Sequence, residues 1–420
     1  MKKPPLGRRT KLADDASAAR SRRCGTLLIL LLLTCSAPGQ ALGQDTSATP
    51  SQGYIYSLLI DKQAPTLGIK WGGEVFVDTP LNGEPENANL TLRKAKLSFQ
   101  KAFNRNWLGK LTLNYHTVGG FELGDNYLRY SGWQTAIARA GVFSPPFSLE
   151  SVSSASGLTF MERSLAVDAL SEGNSAGVGF LKRTPNSILN AALFFFSPKH
   201  EDVAQTGQAL VLRYVHSPIE FSRLGILHLG GSLSYRINAK PDETELSTRP
   251  EVATTDDYYV DTGAIDAADK VTRFGLEANK QAGRFSWQSE LLATSVQRQG
   301  KQKVSFWGAY TYVSWFLTDD SRNYDAGTGE FNAVVPNHPL GKGGKGAFEL
   351  ALRASYVDLT DKDVIGGEQS NITLGLNWYI NKRFRLMTNL VKVLDVKRPG
   401  SEYDGLDPLI FSLRFQWLMQ

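Results

Sequence analysis

The chain has 420 residues, 46 Lys and Arg against 41 Asp and Glu, a net charge of +5 and two cysteines. Residues 1–43 hold eight of the basic residues, two of the acidic ones and both cysteines, so 38 basic and 39 acidic residues remain. The basic balance is therefore no argument for nucleic-acid binding, and the remainder has neither disulfides nor cysteine metal ligands.

The N-terminal region has the pattern of a secretory signal peptide. Basic residues precede the apolar run 27–33, and the small-residue stretch 36–43 follows it. Seven apolar residues are too few to span a bilayer, which disfavours a retained anchor. We predict export with a signal peptide at 1–43, followed by a short N-terminal segment at 44–66.

From residue 67 to residue 420, apolar and polar residues alternate in segments that turn residues separate. Sixteen such segments predict an all-β, antiparallel barrel, and many have the length of a tilted membrane-spanning strand. The predicted strands are 67–78, 89–102, 106–117, 121–131, 134–143, 175–182, 187–197, 207–216, 225–239, 269–281, 284–297, 302–318, 346–360, 369–380, 382–395 and 406–419.

The alternation is most regular in the second half of the chain. Segments 346–360, 369–380 and 406–419 place large apolar residues on one face and Arg, Asn, Gln or Ser on the other. A soluble β-sandwich also alternates, but its strands are usually shorter. The pattern favours a transmembrane barrel over a soluble, secreted all-β binding protein.

The connections between these strands differ in length at the two ends of the barrel. If the first loop is extracellular, the tight turns lie on the periplasmic side, at 103–105, 183–186, 282–283 and Asn381. The long segments 144–174 and 240–268 then lie outside, as in outer-membrane barrels. The long segment 319–345 falls on the periplasmic side. Either the strand count is wrong there, or this segment folds up into the lumen.

No arrangement of residues predicts catalysis. The stretch 173–177 matches the Gly-x-Ser-x-Gly motif of a nucleophile elbow, but it precedes a predicted strand instead of following one. The Gly- and Lys-rich run 341–346 lacks the spacing of a P-loop. The five histidines have no zinc-site spacing. We therefore predict a protein that is not an enzyme and has no catalytic residues, metal or cofactor.

Basic residues outnumber acidic ones on the polar face of the predicted strands. Mixed charges would merely solvate a lumen, but an excess of one sign concentrates counter-ions in a narrow channel, and Arg and Lys favour anions. The basic candidates are Lys94, Lys96, Lys110, Arg129, Arg139, Arg213, Arg236, Arg273, Arg353, Arg383, Arg385 and Arg414, against Asp125, Glu277, Glu290 and Glu349. Arg93 and Lys280 fall on the apolar face, so we expect them at strand ends near lipid headgroups, unless the register there is wrong.

Several dispersed stretches resemble the phosphate-selective porins of the O and P type. They are Asn126-Tyr-Leu-Arg-Tyr130, Phe143-Ser-Pro-Pro-Phe-Ser-Leu-Glu150, Leu158-Thr-Phe-Met-Glu-Arg-Ser164, Thr262-Gly-Ala-Ile-Asp266, Trp315-Phe-Leu-Thr318 with Tyr324-Asp325, and Leu374-Gly-Leu-Asn-Trp-Tyr379. The resemblance covers about residues 68–420. It implies a homotrimer of sixteen-stranded, porin-like barrels in the outer membrane of a Gram-negative bacterium, with inward-folded constriction loops and basic residues that guide anions.

By position, 144–174 resembles the constriction loop of that family, with Arg163 as its basic contact to anions. The alternative for Arg163 is a salt bridge to Glu162 or to the barrel wall that only fixes the loop. Phosphate-selective members carry a basic residue where this chain has Ser144, which weakens the expectation of phosphate selectivity.

The sequence thus predicts passive diffusion of small inorganic anions, with phosphate as a candidate, through a barrel surrounded by outer-membrane lipid. A general porin without selectivity is the first alternative. A barrel receptor or enzyme of the outer membrane is the second, although a receptor would normally need a plug domain and residues 44–66 are too short to form one.

Overall fold

The computed structural model describes residues 69–80, 90–116, 120–197, 205–217, 225–253, 255 and 257–419. The predicted signal peptide at 1–43 and the predicted segment at 44–66 lie outside these residues. None of the helices in the described ranges has the length and apolar character that crossing a membrane requires.

The described residues form one closed antiparallel barrel of sixteen wall strands. They are β1 Ile69–Pro80, β2 Thr91–Ala102, β3 Trp107–His116, β4 in two parts (Gly120–Leu123 and Asn126–Tyr130), β5 Ala136–Phe143, β6 Ser175–Arg183, β7 Ser187–Ser197, β8 Gln205–His216, β9 Ile226–Thr244, β10 Ile265–Ala282, β11 Phe285–Arg298, β12 Val304–Phe316, β13 Ala347–Asp361, β14 Val364–Tyr379, β15 Phe384–Lys397 and β16 Leu409–Met419. Each corresponds to one predicted strand, so the predicted strand count is confirmed.

Pairing between the first and last strands closes the barrel. β1 pairs with β16 from Gly73 opposite Met419 to Pro80 opposite Ser412, and with β2 on its other side. No edge strand is then left open to pair with another chain. In β4, the side-chain amide of Asn126 bonds both the N–H and the C=O of Thr112, which maintains the interrupted ladder.

The two faces of the wall have opposite chemistry, as the alternation predicts. On β13, Leu350 and Leu352 point outward and are 42% and 48% exposed, whereas Glu349 and Arg353 point inward and are fully buried. An outward apolar band next to a polar interior is the arrangement that a barrel needs in a bilayer.

The connection at 144–174, which we name the first inward segment, contacts the inner face of the barrel. It contains α1 (Leu149–Val152), a 3₁₀ turn at Ala155–Gly157 and α2 (Leu165–Leu170). Ser148 and Ser164 cap the two helices through their hydroxyl oxygens, which accept bonds from backbone N–H groups of the first turn. Apolar side chains such as Phe160 and Leu165 pack against inward-facing residues of the strands.

The connection at 317–346, which we name the second inward segment, starts at the end of the barrel that holds the tight turns (the turn end). A short ladder pairs Asn323–Asp325 with Glu330–Asn332. The Phe331 N–H donates to the Ser153 hydroxyl at 3.1 Å, and Arg322 donates to the Gly157 carbonyl at 3.2 Å. The segment therefore folds into the barrel and meets the first inward segment. The strand count holds there, and the second of the two expectations for 319–345 is the correct one.

A β-bulge corrects the expectation for Arg93. The pairing of β1 with β2 passes from Phe76 opposite Lys94 to Val77 opposite Leu92, so Arg93 is the extra residue. A bulge re-aims the side chains that follow it. Arg93 therefore turns inward, where it forms a bidentate salt bridge with Glu162, with its shorter contact at 2.9 Å. Lys280 lies near the turn end of β10, consistent with a strand-end position.

Gly141 provides a test of the close packing between β4 and β5. Its φ is +139°, and a Cβ there would lie 2.2 Å from the carbonyl oxygen of Asn126. We expect Gly141→Ala to lower the free energy of unfolding by about 1–3 kcal/mol, because either the backbone or β4 must shift. Urea denaturation in detergent micelles measures this. Gly173→Ala, with nothing within 4 Å of its Cβ, is the matched control. Equal midpoints for the two variants would contradict the expectation.

Candidate functional site

A cavity of about 480 Å³ lies inside the barrel, between one side of the wall and the two inward segments. Residues of β2 to β7 form the wall side, and residues 144–163 and 328–332 form the other side. Six of the predicted basic residues line this cavity: Lys94, Lys96, Lys110, Arg129, Arg139 and Arg163. Three carboxylates line it as well: Glu122, Asp125 and Glu330. Basic side chains of Lys and Arg therefore outnumber carboxylates in the lining of this cavity.

The three lysines of the cavity have carboxylate partners. Lys94 and Lys96 share Glu74, at 3.7 and 3.2 Å, and Lys110 bonds Asp125 at 2.9 Å. Two ammonium groups on one carboxylate leave a net positive charge at that point, whereas the pair of Lys110 and Asp125 is balanced. The positive charge of the lysines is therefore reduced but not cancelled.

Arg129 and Arg139 form the uncompensated part of the wall. They are direct register partners on the neighbouring strands β4 and β5. Among the described residues, no carboxylate oxygen lies within 4.0 Å of either guanidinium. Arg139 stacks on the ring of Phe143, with its Cζ 4.0 Å from the ring centroid. Like charges directly opposite each other are unfavourable on a sheet, so this pair gains from a bound anion.

Arg163, on the first inward segment, lines the cavity and also holds its own loop. Its guanidinium donates to the backbone carbonyls of Glu150, Ser151 and Ser153 at 3.2, 3.1 and 3.4 Å. It forms no salt bridge with Glu162, which pairs with Arg93 and Arg414 instead. The alternative of an Arg163–Glu162 pair is therefore wrong, but Arg163 does fix the loop.

The arginines on the far side of the barrel are buried and contact the inward segments. Arg353 bonds Glu150 at 3.4 Å and Glu251 at 2.8 Å, and Arg385 donates to the carbonyls of Leu158 and Thr159. The remaining contacts are Arg213 with Glu277, Arg236 and Arg273 with Glu172, and Arg414 with Asp78 and Glu162. Arg383 lies in an exposed turn between β14 and β15 and is absent from the cavity lining. These seven predicted residues do not line the cavity.

Burial and charge act in opposite directions on the carboxyl groups of the first inward segment. Burial alone would raise the pKa of Glu162, but the charges of Arg93 and Arg414 outweigh it and hold that pKa well below its usual range. The pKa of Glu172 is likewise lowered, because Arg273 and Arg236 overcome its burial. These two carboxylates therefore stay ionised and keep the segment attached to the wall.

Sequence reasoning missed the carboxylates that neutralise the far wall. Glu150, Glu162, Glu172 and Glu251 lie in connections between strands, and no period marks them as partners of strand arginines. The stretch Leu158 to Ser164 was the one available signal, since it carries Glu162 beside Arg163. Six of the predicted basic residues thus line the cavity, whereas the far-wall arginines bond carboxylates or backbone carbonyls.

Comparisons with known proteins agree with the β-barrel fold. Residues 66–418 match the family described as phosphate-selective porin O and P. The chain belongs to this family. It is 22% identical to Porin O of Pseudomonas aeruginosa over 351 residues, which cover 74% of this chain and 78% of that protein. It is 28% identical over 309 residues to an uncharacterized protein of Caulobacter vibrioides, covering 69% of this chain. The matched part spans 59% of that relative's length.

Solved structures similar to this porin share its fold at very low sequence identity. OmpT, an outer membrane protein of Vibrio cholerae, has a TM-score of 0.51 at 8% identity, covering 83% of this chain and 97% of that one. Pseudomonas putida OprB has a TM-score of 0.50 at 11% identity, covering 87% and 96%. These likenesses show the β-barrel fold of the chain.

Arg353 provides a test of how the first inward segment is held. We expect Arg353→Met to lower the free energy of unfolding by about 3–5 kcal/mol, because it leaves Glu150 and Glu251 buried without their shared cation. Trypsin should then cleave the folded variant after Arg163 faster than it cleaves the wild type. Arg383→Met, in an exposed turn, should match the wild type in both measurements. A wild-type rate of cleavage in Arg353→Met would show that this contact does not hold the segment.

Proposed function

We propose that this porin resides in the outer membrane of a Gram-negative bacterium and allows small inorganic anions to diffuse passively through its lumen. The observation that carries the proposal is the Arg129–Arg139 pair, which lies on the cavity wall without a carboxylate partner among the described residues. A fixed excess of positive charge in a narrow channel raises the local anion concentration and repels cations.

The cationic groups follow one another along the wall. The end of the barrel opposite the turn end is named the loop end. Lys94 and Lys96 lie towards the loop end of β2. Lys110 lies towards the turn end of β3, and Arg129 lies at the turn end of β4. Conduction requires that each site binds weakly enough to release the ion. Several cations that are partly compensated by Glu74 and Asp125 meet this requirement better than one tight site.

Phosphate is the candidate anion with the best chemical fit. A guanidinium presents parallel N–H donors that match two oxygens of a phosphate, and two guanidinium groups lie on adjacent strands here. Ser151 and Ser154 line the facing side of the cavity and add hydroxyl groups. The description of the family, phosphate-selective porin O and P, supports the same candidate.

A general anion-tolerant porin is the second candidate. Ser144 lines the cavity where phosphate-selective members carry a basic residue, and its hydroxyl bonds Asn174 at 2.6 Å. One charge is therefore absent near the first inward segment. Family membership supports a homotrimer surrounded by outer-membrane lipid for either candidate.

Replacement of the arginine pair tests the proposal. In planar bilayers under a KCl gradient, the wild type should give a reversal potential that favours chloride, and phosphate should block the chloride current. We expect the double variant Arg129→Met/Arg139→Met to bind phosphate more weakly by about fivefold or more, since one charge at 4 Å contributes about 1 kcal/mol even in water.

The matched control is Arg383→Met, which removes an arginine of the exposed turn and should leave current and block unchanged. An unselective wild-type current without phosphate block would favour a general porin. A wild-type current that favours potassium would rule out the proposal.

A further inference from the structure

Glu330 is a carboxylate in the cavity without a bonded partner. It lies in the second inward segment, and its neighbours Thr328 and Asn332 also line the cavity. Among the described residues, its side chain has no hydrogen bond and no cation within 4.0 Å. A side chain with these properties is free to act on the ions that pass.

The backbone around Glu330 is firmly held. Arg213 donates to the carbonyl of Gly329 at 2.8 Å, and the N–H of Phe331 donates to the hydroxyl of Ser153. The guanidinium of Arg322 stacks on the ring of Phe331, 3.5 Å from its centroid. Contacts on both sides of the residue thus fix the backbone from which the Glu330 side chain extends at the cavity.

Four charged groups act on Glu330 from the surrounding elements. They are Arg139 of β5, Arg213 of β8, Asp125 of β4 and Asp325 of the second inward segment itself. Arg213 already bonds Glu277 at 2.8 Å, and Asp125 already bonds Lys110. Arg139 is therefore the unpaired cation whose field Glu330 opposes.

We propose that Glu330 sets the strength of the anion preference: its ionised form weakens the attraction of the Arg129–Arg139 pair for anions, and its protonated form restores it. This inference rests on the proposed function, because it concerns the same cavity. It adds a specificity-determining residue that the strand pattern does not contain.

The environment of Glu330 places its protonation in the neutral range. Burial raises its pKa to about 7, although Arg213 and Arg139 oppose the rise. Because the pKa is raised, the group is mostly neutral at pH 6 and mostly charged at pH 8. The ionised fraction increases from about one tenth to about nine tenths over this range. Anion preference should therefore be strong at pH 6 and weaker at pH 8.

The test is the permeability ratio of chloride to potassium, obtained from reversal potentials under a KCl gradient between pH 6 and pH 8. Chloride does not titrate in this range, so a change of the permeability ratio with pH comes from titration of groups of the protein. We expect the wild-type ratio to fall as pH rises, with a midpoint near 7. Glu330→Gln should have the wild-type pH 6 permeability ratio at both pH 6 and pH 8. Glu330→Asp should still show the fall of the ratio with rising pH.

His116 needs a control because it also lines the cavity and histidine titrates near this range. His116→Asn should keep most of the wild-type fall. A fall in Glu330→Gln as large as in the wild type, or its loss in His116→Asn alone, would overturn the inference. If the wild type favours potassium throughout but Glu330→Gln shifts the ratio towards chloride, the proposed function fails and the role of Glu330 stands. Heat-modifiable migration in gels shows that each variant is folded.

Discussion

The buried contacts between arginines of the barrel wall and the inward segments determine the interior of this porin. An arginine has five N–H donors, so it can satisfy carboxylates and backbone carbonyls together. Arg414 bonds Asp78, Glu162 and the carbonyl of Met161, and Arg385 bonds two carbonyls of the first inward segment. Without such donors the loop backbone would carry unpaired carbonyls inside the barrel, which is strongly unfavourable.

These contacts also decide where the open cavity lies. The inward segments are held by arginines of β8 to β16 and by Arg93 of β2, and the free space remains beside β2 to β7. The arginines of the far wall bond carboxylates or backbone carbonyls, whereas Arg129 and Arg139 have no carboxylate within 4.0 Å in the described ranges. One set of arginines thus stabilises the interior, and the other set is left to act on solutes. The two sets of arginines differ in their positions in the barrel and not in their residue type.

The sequence predicted the wall of the barrel well because strand alternation is a local signal. All sixteen strands and the two faces of β13 agree with the structure, and the inward course of 319–345 is one of the two alternatives that the sequence left open. The inward orientation of Arg93 was not predictable. A bulge changes the face of the strand on which a side chain lies, and the residue types of the strand do not show it. The pairing of Arg353 with Glu150 joins residues 203 positions apart, and no period in the sequence reports such a contact.

The remaining charges of the cavity form a graded series along the wall. Towards the loop end of β2, one carboxylate serves both Lys94 and Lys96, so the net charge there is partly positive. Lys110 and Asp125 then balance each other, and the arginine pair of β4 and β5 carries two uncompensated charges. An anion that enters from the loop end therefore meets moderate attraction before the strongest attraction. Under the proposed function, a Glu330 that opposes that last attraction lets the same cavity concentrate an anion and still release it.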